Sequence, residues 1–486
     1  MLFNSFSYII FLPAVCILHW VLPHRYRWML LLAASYYFYM CWNPAYAVLI
    51  LAATAVSYVS ALFMEAAGER AKKIMLFLAA VFCFGILFVF KYFNFVAEII
   101  FSMGSSLHLF PREAGAPVLN LLLPVGISFY TFQAVSYVID VYRGKVEAEH
   151  HFGYYALFVS FFPQLVAGPI ERAGNLLPQL KSVKKFEESA CISGLKAMLW
   201  GYYKKIVVAD TLAVYVNQVY GNLADYEGLA LAVAAFFFSL QIYCDFSGYS
   251  DIAAGTAKLL GIDFMDNFAA PYFAASIQEF WKRWHISLSA WFRDYVYIPL
   301  GGSRCPAARR CRNLFATFLA SGIWHGADWT FLAWGAIHGL AQVIEHMLCG
   351  PLGRLRQFRL GRFISWAAVF GFCNAAWVFF RADNLADAVY VLSNMRNGIT
   401  SPASYIRNGY ISLDINKFRL AYLAFLIVIL LAADYFLYRN KGQKTGCMEI
   451  LLKNRAVEWV LFVMLGVLVV LFSQKGAAAE FVYFQF

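Results

Sequence analysis

A histidine stands inside a long apolar stretch, in the segment Ser321–Trp329 (SGIWHGADW). Histidine exchanges a proton near neutral pH and is the usual general base of enzymes. The residues Gly326–Asp328 interrupt the apolar run, which places His325 at a predicted break between two helices, beside small residues that leave room for a substrate. The alternative is a histidine packed in a helical core, which that break and the lack of a metal-ligand set make less favourable. We therefore predict that His325 is a catalytic base, at a site without a metal.

A second histidine, His285, lies in a stretch that combines charged and aromatic side chains, Gln278–Tyr295 (QEFWKRWHISLSAWFRDY). Its aromatic residues recur at helical spacing, which is typical of a helix at a membrane interface with Lys and Arg beside the lipid headgroups. Interfacial anchoring alone is the alternative role of this stretch. Because anchoring needs no imidazole, His285 is a second candidate, and its role stays open between substrate positioning and proton relay.

Acidic residues occur in a third polar stretch, Gln241–Asp251 (QIYCDFSGYSD). Capping of a helix end by a satisfied hydrogen-bond network is favoured here over catalysis. The ten cysteines lie mostly in apolar runs, without a CxxC pair or a His/Cys ligand spacing. They are therefore expected to pack as small apolar residues rather than to bind a metal.

The elements that carry these residues must lie in a membrane. Of the 486 residues 62% are hydrophobic, 19% aromatic and only 14% charged, and the mean hydropathy is +0.62. An ordinary globular domain has about 45–50% apolar and about 25% charged residues, so a soluble protein, a disordered chain, a collagen and a coiled coil are excluded. The apolar runs are too long and continuous for the strands of an outer-membrane barrel. The net charge of +11 comes from basic residues in short clusters between the runs, which fits membrane topology better than nucleic-acid binding.

Apolar runs long enough for membrane helices recur along the whole chain. They lie near residues 5–23, 28–43, 45–64, 74–90, 117–141, 152–168, 190–208, 228–244, 314–349, 363–380, 419–438 and 456–473. We predict an all-α polytopic membrane protein with roughly 11–13 spans, in a single domain over residues 1–486. The run 314–349 is too short for two full spans and is broken at 326–328, so a pair of short re-entrant helices that meet within the membrane is expected there.

The basic clusters predict the topology. The N-terminal run has no basic segment before it and no small-residue cleavage site, so it is expected to be a retained first span. If the loop with Arg25 and Arg27 is cytoplasmic, parity places the clusters 304–312 and 354–362 in the cytoplasm as well. The same count places the C-terminal tail, residues 474–486, outside the cytoplasm.

Five motifs together resemble the membrane-bound O-acyltransferase family, and within it the bacterial alginate and peptidoglycan O-acetylation proteins. They are LLPVGISFYTFQAVSYVIDVYRG (122–144), FFPQLVAGPIER (161–172), QIYCDFSGYSDIAAG (241–255), FWKRWHISLSAWFRDYVYIPLGGSR (280–304) and SGIWHGADWTFLAWGAIHG (321–339). The resemblance implies a tunnel across the membrane in which His325, of the WHG motif, is catalytic. It also implies that His285 is the second functional histidine.

The last residues, Glu480–Phe486 (EFVYFQF), resemble the short aromatic tail that is thought to carry the acyl group outward in related envelope acylation systems. A phenol is a weak nucleophile until a base takes its proton, and its ester keeps the acyl group more activated than an alkyl ester would. Tyr483 is therefore a candidate acyl relay. An aromatic anchor at the membrane interface is the alternative.

The function that the resemblance implies is O-acetyl transfer at the bacterial inner membrane. Its implied partners are acetyl-CoA as donor, membrane lipid, an extracytoplasmic SGNH-type acetyltransferase and a polysaccharide acceptor. D-alanyl transfer to teichoic acid is one alternative. A transporter of an intact envelope substrate is another, although the internal repeat that many transporters carry is not visible.

Overall fold

A computed structural model describes residues 1–111, 115–166, 168–439, 455–472 and 481–482, with the backbone alone for 455–457. Every regular element in these ranges is a helix, which confirms the predicted all-α fold. Tyr483 and most of the predicted tail, residues 474–480 and 483–486, lie outside the described residues.

Five helical segments of the described residues are long and apolar enough to cross a membrane. They are Pro44–Ala66, Glu69–Ser106, Leu229–Leu259, Arg359–Arg381 and Lys417–Arg439, and two shorter apolar helices are Phe6–Val21 and Glu458–Phe472. The chain is thus a multi-pass membrane protein, whereas the predicted number of 11–13 spans stays a prediction.

The chain divides into two compact units, and a single domain over 1–486 also stays a prediction. The first unit comprises Met1–Leu195 and Ala253–Met265. Its helices are α1 (Phe6–Val21), α2 (His24–Met40), α3 (Ala47–Ala66), α4 (Glu69–Leu87), α5 (Phe93–Ser106), α6 (Ile127–Tyr142), α7 (Phe152–Ser160), α8 (Phe162–Leu165) and α9 (Ala173–Lys181). A π-helical segment, Phe88–Tyr92, joins α4 to α5.

The apolar run predicted at 117–141 is helical only in its second part. Residues 115–126 form no helix, and α6 begins at Ile127. Pro124 has no N–H to donate to a helix, and Gly126 takes a left-handed conformation with φ +75°. The prediction of a helix from residue 117 was wrong because apolar composition alone does not reveal these two breaks.

The second unit comprises Lys196–Ile252 and Asp266–Phe486, and two helices, α10 and α12, contribute to both units. The helices from here on are α10 (Glu188–Tyr202), α11 (Asp210–Tyr220), α12 (Leu229–Leu259), α13 (Ile277–Arg283), α14 (Ile286–Phe292), α15 (Ala307–His325), α16 (Trp329–Met347), α17 (Cys349–Leu355), α18 (Arg359–Arg381), α19 (Leu385–Asn394), α20 (Pro402–Ser412), α21 (Lys417–Arg439) and α22 (Arg455–Phe472). Two π-helical segments, Tyr203–Ala209 and Arg293–Tyr297, follow α10 and α14.

The sequence predicts that a helix ends in the acidic stretch 241–251, and this prediction was wrong. It lies within α12, which continues for 31 residues to Leu259. Asp245 is 1% exposed, and its partner is a lysine of the same unit. The two acids of the stretch form ion pairs with lysines and cap no helix.

The charged and aromatic stretch 278–295 is not one interfacial helix. It forms α13 and α14, with a break at Trp284 and His285. Trp281, Trp284 and Trp291 are all buried. These aromatic side chains therefore pack against protein, which disfavours for them the alternative of an interfacial anchor.

Candidate active site

The hairpin of α15 and α16 carries His325 at its connection. Asp328 begins α16, because its Oδ1 accepts a hydrogen bond from the N–H of Thr330 at 2.8 Å, which is the favoured cap for a helix start. Gly326 leaves α15 in an extended conformation, and a Cβ there would lie 2.1 Å from the ring of Phe331. The predicted break after His325 is thus confirmed, although each helix has 19 residues and α15 begins earlier than expected.

Two glycines let the helices of this hairpin approach each other closely. A Cβ on Gly322 would lie 2.4 Å from the carbonyl oxygen of Phe331, and a Cβ on Gly335 would lie 2.6 Å from that of Phe318. Small residues at such contacts allow backbones to pack tightly in membrane proteins. The end of α15, and with it His325, is therefore fixed against α16.

The imidazole of His325 is enclosed by aromatic rings. Its ring centroid lies 4.9 Å from Trp324, 4.9 Å from Trp334 and 5.2 Å from Phe380, all nearly edge-on. Only 4% of the residue is exposed. These contacts, from α15, α16 and α18, restrict the orientation of the ring, as a base that must meet one particular proton requires.

His285 lies at the break between α13 and α14. Its backbone takes a left-handed conformation with φ +42°, which is rare for residues other than glycine and clusters at functional sites. The residue is completely buried. The fold therefore places this imidazole inside the protein at the expense of backbone strain.

A chain of hydrogen bonds sets the tautomer of His285. Its Nδ1 lies 3.1 Å from Oδ1 of Asn267, while Nδ2 of Asn267 donates to Oγ of Ser250 at 3.1 Å and Oγ of Ser287 donates to the same Oδ1 at 2.9 Å. Since the backbone N–H of Ser287, which can only donate, also points to this oxygen at 3.3 Å, the oxygen faces the imidazole, and Nδ1 is the donor. In the neutral ring Nε2 is then the nitrogen that can take a proton.

The two predicted histidines belong to one aromatic cluster. The ring of Trp324 lies 6.2 Å from His285 and 4.9 Å from His325, measured between centroids. On the other side, Phe246 of α12 lies 4.6 Å from His285. The chemistry that such a pair of imidazoles can supply is proton transfer.

Tyr483 lies outside the described residues, but the two residues before it are described. Phe481 contacts Phe246 with a centroid separation of 5.6 Å, and Val482 is 4% exposed. The C-terminal segment thus reaches the ring that contacts His285.

Two buried lysines beside this cluster were missed in the sequence. Lys204 pairs with Asp251 at 2.8 Å, and Lys205 pairs with Asp245 at 2.7 Å. Both lysines lie in the apolar run 190–208. Two adjacent cations in an apolar run were the available signal, since such charges are costly in a membrane and usually have partners.

Potential metal ligands do not gather at this site. Within the residues that the structure describes, no group of three or more His, Cys, Asp or Glu side chains is placed to hold a metal ion. The donor-binding residues were not predicted from the sequence.

The chain is similar to proteins of known families. Residues 146–385 match the model of the membrane-bound O-acyltransferase family. The chain is 36% identical to the "Probable alginate O-acetylase AlgI" of Pseudomonas putida, over all of both chains. It is 40% identical to the protein of the same name from Pseudomonas aeruginosa, over 79% of this chain and 73% of that one.

A third relative has a different polymer in its name. The chain is 35% identical to the "Peptidoglycan O-acetyltransferase" of Helicobacter pylori, over 77% of this chain and 74% of that one. The matched region of the family model contains both His285 and His325.

Proposed function

Because this chain belongs to the membrane-bound O-acyltransferase family, we propose that it moves an acetyl group from a cytoplasmic donor, acetyl-CoA, across the bacterial inner membrane for O-acetylation of a cell-envelope or exopolysaccharide polymer. The arrangement of two buried histidines around Trp324, next to the C-terminal segment, carries the proposal. All three relatives described above are named for acetyl transfer, which favours acetyl over D-alanyl as the group that is moved.

In the proposed reaction His325 is the general base. The imidazole takes the proton of the attacking hydroxyl, the oxygen forms a bond to the thioester carbonyl carbon, and the carbon–sulfur bond breaks. The proton then passes from the imidazolium to the leaving thiolate, so that free coenzyme A is released. The aromatic rings around His325 exclude water from this step, which limits hydrolysis of the thioester.

His285 acts as a positioning or proton-relay group. Asn267 holds its Nδ1, so its Nε2 is the position for a hydrogen bond to a reacting group. The ring of Trp324 contacts both His285 and His325. This arrangement supports a role for His285 that assists His325 rather than one that replaces it as the base.

Tyr483 is the proposed first acceptor. Its phenol attacks the thioester with His325 as base, and the resulting aryl ester carries the acetyl group to the outer side. There an SGNH-type acetyltransferase transfers it to a hydroxyl of the polymer, and the phenol is regenerated. The burial of Phe481 and Val482 supports this role, because these two residues directly precede Tyr483 in the sequence.

The donor would approach from the end of α15 that carries arginines. Arg309 and Arg310 lie near the start of that helix, and their guanidinium groups donate to the carbonyl oxygens of Leu300 and Ser303. A cationic rim of this kind gathers a donor that bears phosphates.

Transfer from labelled acetyl-CoA tests the proposal. Purified protein in detergent is incubated with [14C-acetyl]-CoA, and release of coenzyme A and labelling of the protein are measured, with labelled D-alanyl donor as a parallel sample. We expect acetyl-CoA to be consumed and His325→Ala to lower the rate by on the order of 10²–10⁴, the usual effect of losing a general base.

The outcomes separate the alternatives. A transporter would leave the thioester intact, and a D-alanyl transferase would use only the other donor. Activity of His325→Ala within threefold of the parent, at equal amounts of folded protein, would show that another group is the base. Tyr483→Phe keeps the aromatic ring and should lose polymer acetylation, whereas an anchor would retain it.

A further inference from the structure

Val482 of the C-terminal segment forms a hydrogen bond in the interior of the second unit. The backbone N–H of Val482 donates to Oδ2 of Asp245 at 2.6 Å. Asp245 is 1% exposed and Phe481 is completely buried. A hydrogen bond from a neutral amide to a buried carboxylate is among the stronger ones in proteins, so this contact is well suited to hold a chain end.

The adjacent aromatic residue fills a pocket of the same helix. The ring of Phe481 lies 4.5 Å from Tyr249 and 5.6 Å from Phe246, measured between centroids. Phe246, Tyr249 and Asp245 all project from α12, at spacings that place them on neighbouring turns. One helix therefore supplies both an aromatic pocket and a carboxylate for two consecutive tail residues.

The carboxylate of Asp245 is held in place from its other side. Oδ1 of Asp245 lies 2.7 Å from Nζ of Lys205, and Lys205 also pairs with Asp210 at 2.9 Å. A buried carboxylate without a cation would be very costly. Lys205 thus stabilises the charge at Asp245 while leaving Oδ2 for the tail.

The helix that precedes the tail is fixed to the same region. α22 packs against the π-helical segment Tyr203–Ala209, which carries Lys205. Glu458 of α22 also forms an ion pair with Lys196 of α10. Both α22 and residues 481–482 are therefore held by contacts within the second unit.

We propose that Asp245 is a positioning residue, which docks the C-terminal segment so that Tyr483 is presented to the histidine cluster. Phe246 links the docked tail to the cluster, because the same ring contacts Phe481 and His285. This inference rests on the proposed role of Tyr483 as acyl acceptor. We call Asp245, Phe246 and Tyr249 together the dock. The dock binds a backbone N–H that follows a buried aromatic side chain, so its ligand is an aromatic peptide, here the C-terminal segment of this chain.

The alternative is that the tail packs here only for stability. The two roles differ in what the loss of the contact does to the reaction. A docking residue controls how often Tyr483 is acylated for each thioester that is cleaved, and it leaves binding of the donor unchanged. A purely structural residue alters the amount of folded protein and changes all rates together.

Two substitutions in the full-length protein weaken the docking contacts, one in α12 and one in the C-terminal segment. In Asp245→Asn one amide oxygen must serve both Lys205 and the N–H of Val482, so the amide NH2 opposes one of these donors. Phe481→Ala empties the aromatic pocket and leaves the buried ion pairs intact, so it remains informative if the first variant does not fold. Asp210→Asn is the matched control, because it also removes a partner of Lys205 but keeps the carboxylate that accepts the N–H of Val482.

Hydrogen exchange of the C-terminal peptide measures docking without any activity. In purified protein we expect the amide of Val482 to exchange at least tenfold faster in Asp245→Asn than in the parent, and the tail peptide to lose protection in Phe481→Ala. Asp210→Asn should keep the exchange of the parent. Equal exchange in the parent and in both dock variants would overturn the proposal.

Mass spectrometry of the same peptide measures acylation. With acetyl-CoA and no polymer acceptor, the acetyl adduct on Tyr483 should fall about tenfold in the dock variants, while the KM for acetyl-CoA stays as in the parent. An adduct at the level of the parent, despite faster exchange, would refute a positioning role. Absence of the adduct from the parent itself would refute the relay and the positioning role together, and the exchange data would then show a structural anchor.

Discussion

His285 and His325 both lie where a helix is interrupted. At such a position the backbone is not held in regular helical geometry, so the fold can orient the side chain in a direction that a continuous helix would not allow. His325 is the last residue of α15, and His285 precedes α14 with a left-handed backbone. Their rings are restrained differently. Aromatic contacts orient His325, whereas a hydrogen bond to Asn267 sets the tautomer of His285.

The role of His285 predicts a graded effect along its hydrogen-bond chain. Asn267→Ala removes the acceptor for Nδ1, so the imidazole can rotate or change tautomer, and we expect a loss of activity on the order of tenfold, the equivalent of about 1.4 kcal/mol. Ser250→Ala removes only the outer link to Asn267 and should cost less. Acetyl-CoA turnover by purified protein measures both.

The order of the two effects is the decisive observation. If Ser250→Ala lowered activity more than Asn267→Ala, the hydrogen bonds of Ser250 and Asn267 would stabilise the fold rather than orient His285. The thermal unfolding temperature of each variant in detergent separates the two explanations.

At the residue scale, the sequence allowed the histidines to be predicted but not their surroundings. An ionisable residue in an apolar stretch is visible in the sequence because it is costly there. Asn267 was not predicted, because it lies 18 residues before His285 in a segment with no periodic pattern. Only the folded chain brings the two together.

At the element scale, the hairpin of α15 and α16 depends on close contact between two glycines. A Cβ at Gly322 would lie 3.0 Å from the Cα of Gly335 and closer still to the carbonyl oxygen of Phe331. Because these are backbone atoms, the clash can be relieved only by moving the helices apart. Any such shift also moves His325.

This contact predicts that Gly322→Ala destabilises the protein by about 1–3 kcal/mol, as added atoms in a packed interior usually do. Activity should fall further than stability, because the base is displaced. Gly371→Ala in α18 is the control, since a Cβ there meets nothing within 4 Å and alanine favours a helix. Thermal unfolding in detergent and acetyl-CoA turnover are measured for both variants, and equal behaviour of the two would refute the close-packing argument.

Helix breaks explain which elements could be predicted from the sequence. The break at 326–328 was predicted because Gly326, Ala327 and Asp328 interrupt an apolar run, and the structure shows that Asp328 caps the next helix. The break at Trp284 and His285 was not, because the aromatic spacing there continues as in a helix. Conversely, the helix α12 passes through Asp245, since Lys205 neutralises a charge that would otherwise favour a helix end.

At the scale of the whole molecule, the basic clusters predict the orientation in the membrane. Arg354 is exposed and lies in the cluster 354–362, which we expect to face the cytoplasm. In a variant without reactive native cysteines, Arg354→Cys should be labelled by a membrane-impermeant thiol reagent only after the cells are opened. Labelling in intact cells would reverse the topology, and would place the tail in the cytoplasm.

The buried ion pairs of the second unit have a consequence for biosynthesis. Lys204 and Lys205 leave the ribosome before their partners in α12, because Asp245 follows Lys205 by 40 residues (245 − 205). Asp210, the other partner of Lys205, follows in the same segment, but at roughly 5–20 residues per second Asp245 follows Lys205 only after about 2–8 s. Each such charge costs about 2.5–3.5 kcal/mol at the centre of a membrane helix, so neither segment is expected to pass from the translocon into lipid alone. The two segments should leave it together, with the lysines paired to their acids, and loss of either lysine should appear first as degradation of the nascent protein rather than as a slow enzyme.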